Sequence, residues 1–374
     1  MPSRLRIPSR WAACLLAAAL LAGCGSAAAP TSGSPSQSSS SAAAGGKVQL
    51  LETGSTLLYP LFNIWVPAYQ KNNPNVQITT QGTGSGTGIA EASKGTAQIG
   101  ASDAYMSDSQ VKGTPGIENI PLAISAQQIN YNIPGLNSQH LHLSGPVLAR
   151  IYEGKVTKWN APAIAQLNPG VKLPNQTIIP VHRTDGSGDT FIFTQYLSFS
   201  DPSGWGKAVG YGTSVNFPAV PGGLGAEGNP GMVQALKGTP YSIAYVGISF
   251  LDQTDQAGLG YAALLNRAGS YVLPTASTIS AAAASVASRT PADERISIVF
   301  TPGANAYPIV NYEYAIVSTK QSNTATATAL KAFLSWCVNA SDGNAASFLD
   351  QVHFIGLPPA IAQLSQAQIS KIGS

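Results

Sequence analysis

The sequence predicts an α/β fold built on mostly parallel sheets, and three observations carry that prediction. Apolar and polar residues alternate in a β-α-β-α-β order from 48 to 101; each strand-to-helix connection is a short loop of Gly, Ser, Thr or Asp; and the same unit recurs near 177–197. Strands alternating with helices imply parallel pairing with right-handed crossovers.

The elements follow in order. Val48 to Thr53 reads as a strand, and Tyr59 to Gln70 as a helix with Leu61, Ile64, Trp65 and Tyr69 on one face. Pro60 suits a first turn, whereas Pro67 predicts a kink or an early end. Val76 to Thr80 alternates as a strand, Gly88 to Ser93 is a short helix, and Ala97 to Ala101 is a third strand. A fourth strand, Thr177 to His182, leads through Arg183-Thr184-Asp185-Gly186-Ser187-Gly188-Asp189-Thr190 into a helix from Phe191 to Leu197. Near the C-terminus, Leu330 to Cys337 has helical amphipathicity, which makes Cys337 a small buried hydrophobe.

In parallel sheets the strand-to-helix loops gather at the carboxyl edge, where open α/β folds bind ligands. The loops here are Gly54-Ser55-Thr56, Gly82 to Gly88, Ala101-Ser102-Asp103 and Arg183 to Thr190. Amides at helix N-termini, flanked by Ser and Thr hydroxyls, suit an anion, and an arginine fork can complete the shell. Taken singly, each loop also reads as an ordinary turn or helix cap; their equivalent placement is what points to a ligand. Asp185 reads as the partner that orients Arg183.

Composition excludes other classes. Of 374 residues, 44% are hydrophobic and only 10% charged, which allows a large core and two domains and argues against disorder and nucleic-acid binding. The net charge of +3 comes from one end: Arg4, Arg6 and Arg10 precede any acidic residue, and without them 17 basic residues face 17 acidic ones. These arginines precede an apolar run, Trp11 to Leu21, too short to span a bilayer and shaped like a secretory signal. Leu21-Ala22-Gly23-Cys24 resembles a bacterial lipobox. The expected organisation is therefore a signal over 1–23, then a lipidated Cys24 and a Ser/Ala/Gly tether over 24–46 with a reach of about 25 Å. Only Cys337 then remains in the folded part, with no disulfide and no zinc spacing; no cofactor is expected.

Four motifs together make a resemblance specific. Gly54-Ser55-Thr56-Leu57-Leu58-Tyr59-Pro60, Gln81 to Gly86, Ile99 to Ala104 and Arg183 to Gly188 closely resemble the phosphate-binding protein of the phosphate-specific ABC importer, in its actinobacterial lipoprotein form. The likeness continues through Ile151 to Lys155, Lys158-Trp159, Leu167 to Gly170 and Ala244 to Gly247, over nearly all of 47–374. The resemblance implies a type II periplasmic-binding-protein fold: two α/β lobes, each a mostly parallel sheet flanked by helices, joined by hinge strands. Crossings would lie near Ala123 to Tyr131 and Tyr307 to Ile316, with lobe I formed by 47–125 plus 307–374 and lobe II by 126–306. It implies a lipid-anchored protein facing the outside, with inorganic phosphate and the importer's permease subunits as partners.

By matching position, Ser55, Thr56, the Leu57 amide and Ser85 would donate to phosphate from one lobe. Arg183, Ser187 and the Gly188 amide would donate from the other, with Asp103 as acceptor. Asp189 departs from the commonest family pattern, which has Thr there; it would cap the next helix, accept a second phosphate proton or pair with Arg183. A carboxylate fits an anion site because hydrogen phosphate has a proton to donate, whereas sulfate offers only acceptors.

Two alternatives stand beside this: a surface phosphoesterase using a loop serine, and a binder of another tetrahedral oxyanion. The first has little support, since no serine sits in Gly-x-Ser-x-Gly and there is no Walker lysine or His-Glu-x-x-His. His182 precedes Arg183, and strand alternation turns it to the opposite face; His140, His142 and His353 lie outside the loops.

Overall fold

The computed structural model describes residues 47–374; the signal, Cys24 and the tether lie outside the described residues. Strand β1 (Val48–Gly54) leads to helix α1 (Tyr59–Asn72), strand β2 (Val76–Thr79), helix α2 (Ser85–Lys94) and strand β3 (Ile99–Ser102). β1 pairs in parallel with both β2 and β3, as the alternating order requires. Pro67 does not end α1. Both Pro67 and Asn63, whose carbonyl loses its intrahelical donor, are exposed, so water can take that bond. The buried face is Leu61, Phe62, Trp65 and Tyr69, with Ile64 only half-buried.

The long strand β4 (Ile117–Tyr131) organises the middle. Strands β5 (Ile179–Arg183), β6 (Leu224–Ala226), β7 (Ser242–Gly247) and β8 (Val310–Ser318) complete a sheet of order β2-β1-β3-β8-β4-β7-β5-β6. From Ile117 to Ala126, β4 pairs antiparallel with β8; from Gln127 to Tyr131 it pairs antiparallel with β7. One strand thus belongs to two sheet regions, and it changes partner within the predicted crossing at 123–131. β5 is parallel to β6 and β7.

Helix α3 (Gly188–Ser200) follows β5, α4 (Gly228–Gly238) follows β6, and α5 (Thr324–Val338) and α6 (Pro359–Ser370) follow β8. α1 packs on α5 through an aromatic cluster in which Tyr69 meets Phe333 at 4.9 Å and Trp336 at 5.6 Å between ring centres. Buried Trp65 donates its indole N–H to the Gly343 carbonyl at 2.7 Å. Cys337 is free and fully buried in α5, as its helical pattern predicts. Among the described residues no helix is long and apolar enough to cross a membrane.

Glu294 fastens the loop before β8 to α6. It sits at a left-handed φ of 54°, its carboxylate accepts from Ser365 at 3.0 Å and from Gln368, and burial pushes it up to about 8. In the unfolded chain the carboxyl ionises above its ordinary 4.5, while the fold keeps the proton to about 8. The folded state therefore binds more protons across that window, and this residue lowers stability as pH rises. Denaturant titrations should show a decline between pH 4.5 and 8, of no more than about 1.4 kcal/mol per pH unit from this group, which Glu294→Gln flattens.

Candidate functional site

Loops from both sheet regions converge on Asp103. Gly54 ends β1 at φ 141°, so close to β3 that a Cβ would lie 2.0 Å from the Ala101 carbonyl oxygen. The chain turns there and delivers Ser55 to Asp103, to which its hydroxyl donates. The Ser55 oxygen in turn accepts the Leu57 and Leu58 amides at 3.1 and 2.9 Å. Ser85 is the first residue of α2, which starts three residues earlier than its apolar pattern predicts. Its hydroxyl lies 3.4 Å from Asp103 Oδ2 and accepts the Asp103 amide at 3.2 Å.

The opposite side is built by β5 and α3. Ser187 caps α3, accepting the Thr190 amide at 3.1 Å. Gly188 approaches Asp103 so closely that a Cβ would stand 2.4 Å from Oδ2 and 2.5 Å from Ser85 Oγ; only glycine fits. The Gly86 amide donates to the Gly186 carbonyl at 2.8 Å, joining the two glycine-rich loops.

Arg183 ends β5 with its guanidinium buried. Nε donates to Asp185 Oδ1 at 2.6 Å, a second N–H group meets Asp185 Oδ2, and the third donates to Asp189 Oδ2 at 2.7 Å. Burial alone would lower its pKa, but the two aspartates outweigh that and hold it charged. Burial likewise pushes Asp185 up, but the Arg183 hydrogen bond and charge prevail, so it stays below its ordinary value. The expected orienting role of Asp185 is met. The expectation for Asp189 divides: it pairs with Arg183, and the cap of α3 is Ser187.

Two expected donors are engaged elsewhere in this structure. The Leu57 amide bonds Ser55 Oγ and the Ser55 proton goes to Asp103, so neither is directed outward as position matching implies. Thr56 keeps its proton: its oxygen accepts the Asn229 amide at 3.2 Å and the Asn229 side chain at 3.0 Å. Thr56, Ser85, Asp103, Arg183, Ser187, Gly188 and Asp189 all come together, and all are buried.

Sequence reasoning missed three side chains. Asn229, near the start of α4, bridges Thr56 to Asp189, reaching Asp189 Oδ2 at 2.7 Å. Its signal was available: Gly225-Ala226-Glu227-Gly228-Asn229 is another glycine-rich strand-to-helix junction. Gln127, where β4 changes partner, donates to Asp189 Oδ1 at 3.0 Å. Glu313, the one acid in β8, accepts on Oε1 from Ser125 and, at 3.1 Å, from Asn311, while its Oε2 is buried without a hydrogen-bond partner. Burial first, then the charges of Glu313 and Asp189, push Asp103 well above its ordinary value. Burial also raises Glu313. Two buried carboxyls this close hold one proton between them more readily than two charges.

His182 stacks on Phe217 at 4.6 Å, away from these loops, as strand alternation predicts. His140 lies against Tyr261, His142 stacks on Tyr271 and His353 pairs with Asp252. Among the described residues no histidine hydrogen-bonds Ser55, Ser85 or Ser187; their partners are Asp103 and backbone amides.

Comparison with known proteins shows the fold and the family. The PBP superfamily domain matches residues 36–341. The phosphate-binding protein PstS of Methanocaldococcus jannaschii is 36% identical over 86% of this chain and 85% of its own. The phosphate-binding protein PstS 3 of Mycobacterium leprae is 33% identical over 86% and 87%. Among solved structures, the high-affinity periplasmic phosphate-binding protein PfluDING, determined with phosphate bound, superposes with a TM-score of 0.66 at 22% identity, over 86% of this chain and 93% of that one. That likeness establishes the two-lobed periplasmic-binding fold. The sequence matches go further: this chain belongs to the PstS family of phosphate-binding proteins.

Proposed function

We propose that the chain captures inorganic phosphate outside the cytoplasmic membrane, closes two lobes around it and delivers it to the permease of an ABC-type importer. The observation that carries this reading is a buried acceptor, Asp103, set among donors at the starts of two helices. A phosphate lying against Asp103 meets the hydroxyls of Thr56, Ser85 and Ser187, the Gly188 amide and the positive ends of α2 and α3. Arg183 is neutralised by Asp185 and Asp189, so the ion is held mainly by dipoles and hydroxyls, and Arg183 fixes the loop that presents them. That arrangement accords with a folded part whose formal charges balance. Asp189 contributes a Gln127–Asn229–Arg183 network that ties the loops together.

Selectivity follows from the hydrogen-bond inventory. Hydrogen phosphate can donate to Asp103, whereas sulfate would place an oxygen against it. A site built around a ligand hydroxyl can reject an analogue lacking it by about 10⁴ to 10⁵.

The lobes are taken as 47–125 with 307–374, and 126–306. The partner change of β4 at Ala126/Gln127 supports that division and a hinge there. Leu57 and Ser249 (2.7 Å), Thr56 and Asn229, and Gly86 and Gly186 are then contacts made across the closed cleft. A lipid on Cys24 and the tether over 24–46 would keep the binder near its permease, facing outward. The absence of any histidine partner for the three loop serines favours binding over ester hydrolysis. Calorimetry of the full chain should give tight binding of phosphate and arsenate, sulfate weaker by about 10⁴-fold or more, and no turnover of a chromogenic phosphate ester. Sulfate binding as tightly as phosphate, or ester hydrolysis lost in Ser85→Ala, would overturn the assignment.

A further inference from the structure

A second site stands apart from these loops. A cavity of about 410 Å³ is lined by Arg267, Arg289, Ser198, Thr301, Phe199 and Phe300, among others. Its volume falls within the range of small-molecule sites. Ser198 lies near the C-terminal end of α3, ten residues beyond Gly188, so the 1.5 Å helical rise separates the two places by about 15 Å.

Three features of the lining point to an anion. Of the five arginines between 47 and 374, Arg183 and Arg295 are each committed to two aspartates. Arg267 and Arg289 line this one cavity, and neither makes an ion pair among the described residues. In a chain with so few charges, two uncommitted cations on one hollow are not diluted by neighbouring acids. The hydroxyls of Ser198 and Thr301 are buried without a hydrogen-bond partner, in residues only 7% and 5% exposed. Buried polar groups are normally satisfied, so a ligand oxygen reaching them after a small side-chain adjustment would remove a defect. Phe199, 41% exposed, and Phe300 supply apolar wall, which a bare oxyanion would leave unmatched.

We propose that this cavity binds an organic anion, a carboxylate or phosphate group carried on a short apolar body. The two guanidinium forks take the anionic head, for which their planar donor geometry is suited, and the aromatic rings cover the body.

The test uses the full chain saturated with inorganic phosphate, titrated with phenyl phosphate, with benzoate and with benzyl alcohol as the uncharged control. One equivalent of an anionic probe is expected to bind with a submillimolar dissociation constant, weakened at least tenfold in R267A/R289A, while phosphate affinity is unchanged and benzyl alcohol binds at least tenfold more weakly. The stronger of the two anions identifies the head group. The proposal is overturned if neither anion binds the phosphate-saturated protein, if the double variant binds them equally well, or if benzyl alcohol binds as tightly. Competition of the probes with phosphate would also overturn it, by placing them at Asp103.

Discussion

Arg183→Leu is expected to destabilise the fold by about 3–5 kcal/mol, the usual penalty for removing one partner of a buried ion pair. The Arg183 and Asp189 side chains are each 1% exposed, so the abandoned Asp189 carboxylate has no water to replace the cation. It would keep Gln127 and Asn229, which donate hydrogen bonds but carry no charge. The sign of the pH dependence follows. Asp185, held low by Arg183 in the wild type, contributes stability above its unfolded pKa that is lost as pH falls through the folded one. In the variant that contribution disappears, and Asp189, which burial already raises in the wild type against the pull of Arg183, is raised further, so stability should fall more steeply as pH rises than in the wild type. Adding Asp189→Asn should recover part of the loss. Urea denaturation at pH 5 and pH 8 checks all three statements, and a variant as stable as wild type at both pH values would show that the network is not structural.

Much of this was legible in the sequence because it depends on local chemistry. Glycine-rich strand-to-helix loops, a helix start with Ser and Thr, and strand alternation mark the loops that carry Thr56, Ser85, Asp103, Arg183, Ser187 and Gly188, which the structure brings together. What stayed hidden is set by contacts far apart in sequence. The junction at 225–229 marks Asn229 as a loop residue, but its partner Thr56 lies 173 residues away and Gln127 meets Asp189 across 62, and local pattern names neither partner. Arg183 reads as an anion ligand with no commitments, whereas Asp185 and Asp189 already engage three of its five N–H groups. Glu313 had a visible signal, a lone acid in Val310-Asn311-Tyr312-Glu313-Tyr314-Ala315-Ile316, but its meaning emerges only when β8 lies beside β3 and faces it with Asp103. Pro67 shows the reverse case, where a strong local rule yields because the broken bond faces solvent.

The second large effect is on discrimination. Asp103 is surrounded by Ser55 and Ser85 as donors, Glu313 from β8, and Asp189 and Arg183 across the cleft. Asp103 Oδ1 accepts from Ser55 and Oδ2 faces Ser85, and each carboxylate oxygen keeps a second lone pair with which to accept from hydrogen phosphate. Sulfate has no such proton, so its binding requires Asp103 to take one up from solution. Wild-type affinity for sulfate should therefore rise as pH falls, narrowing the preference for phosphate. Asp103→Asn removes that requirement, because an amide offers N–H groups to either ion. It also removes one carboxylate from a crowded acidic site, so phosphate binding is weakened rather than abolished.

The most direct measurement is the phosphate-to-sulfate ratio of dissociation constants for the full chain and for Asp103→Asn, by titration calorimetry at pH 7.5 in a buffer free of both ions. The account predicts a preference for phosphate of about 10⁴ or more in the wild type, falling at least a hundredfold in the variant through a gain in sulfate binding as well as a loss in phosphate binding. A ratio that stays the same in Asp103→Asn would contradict it.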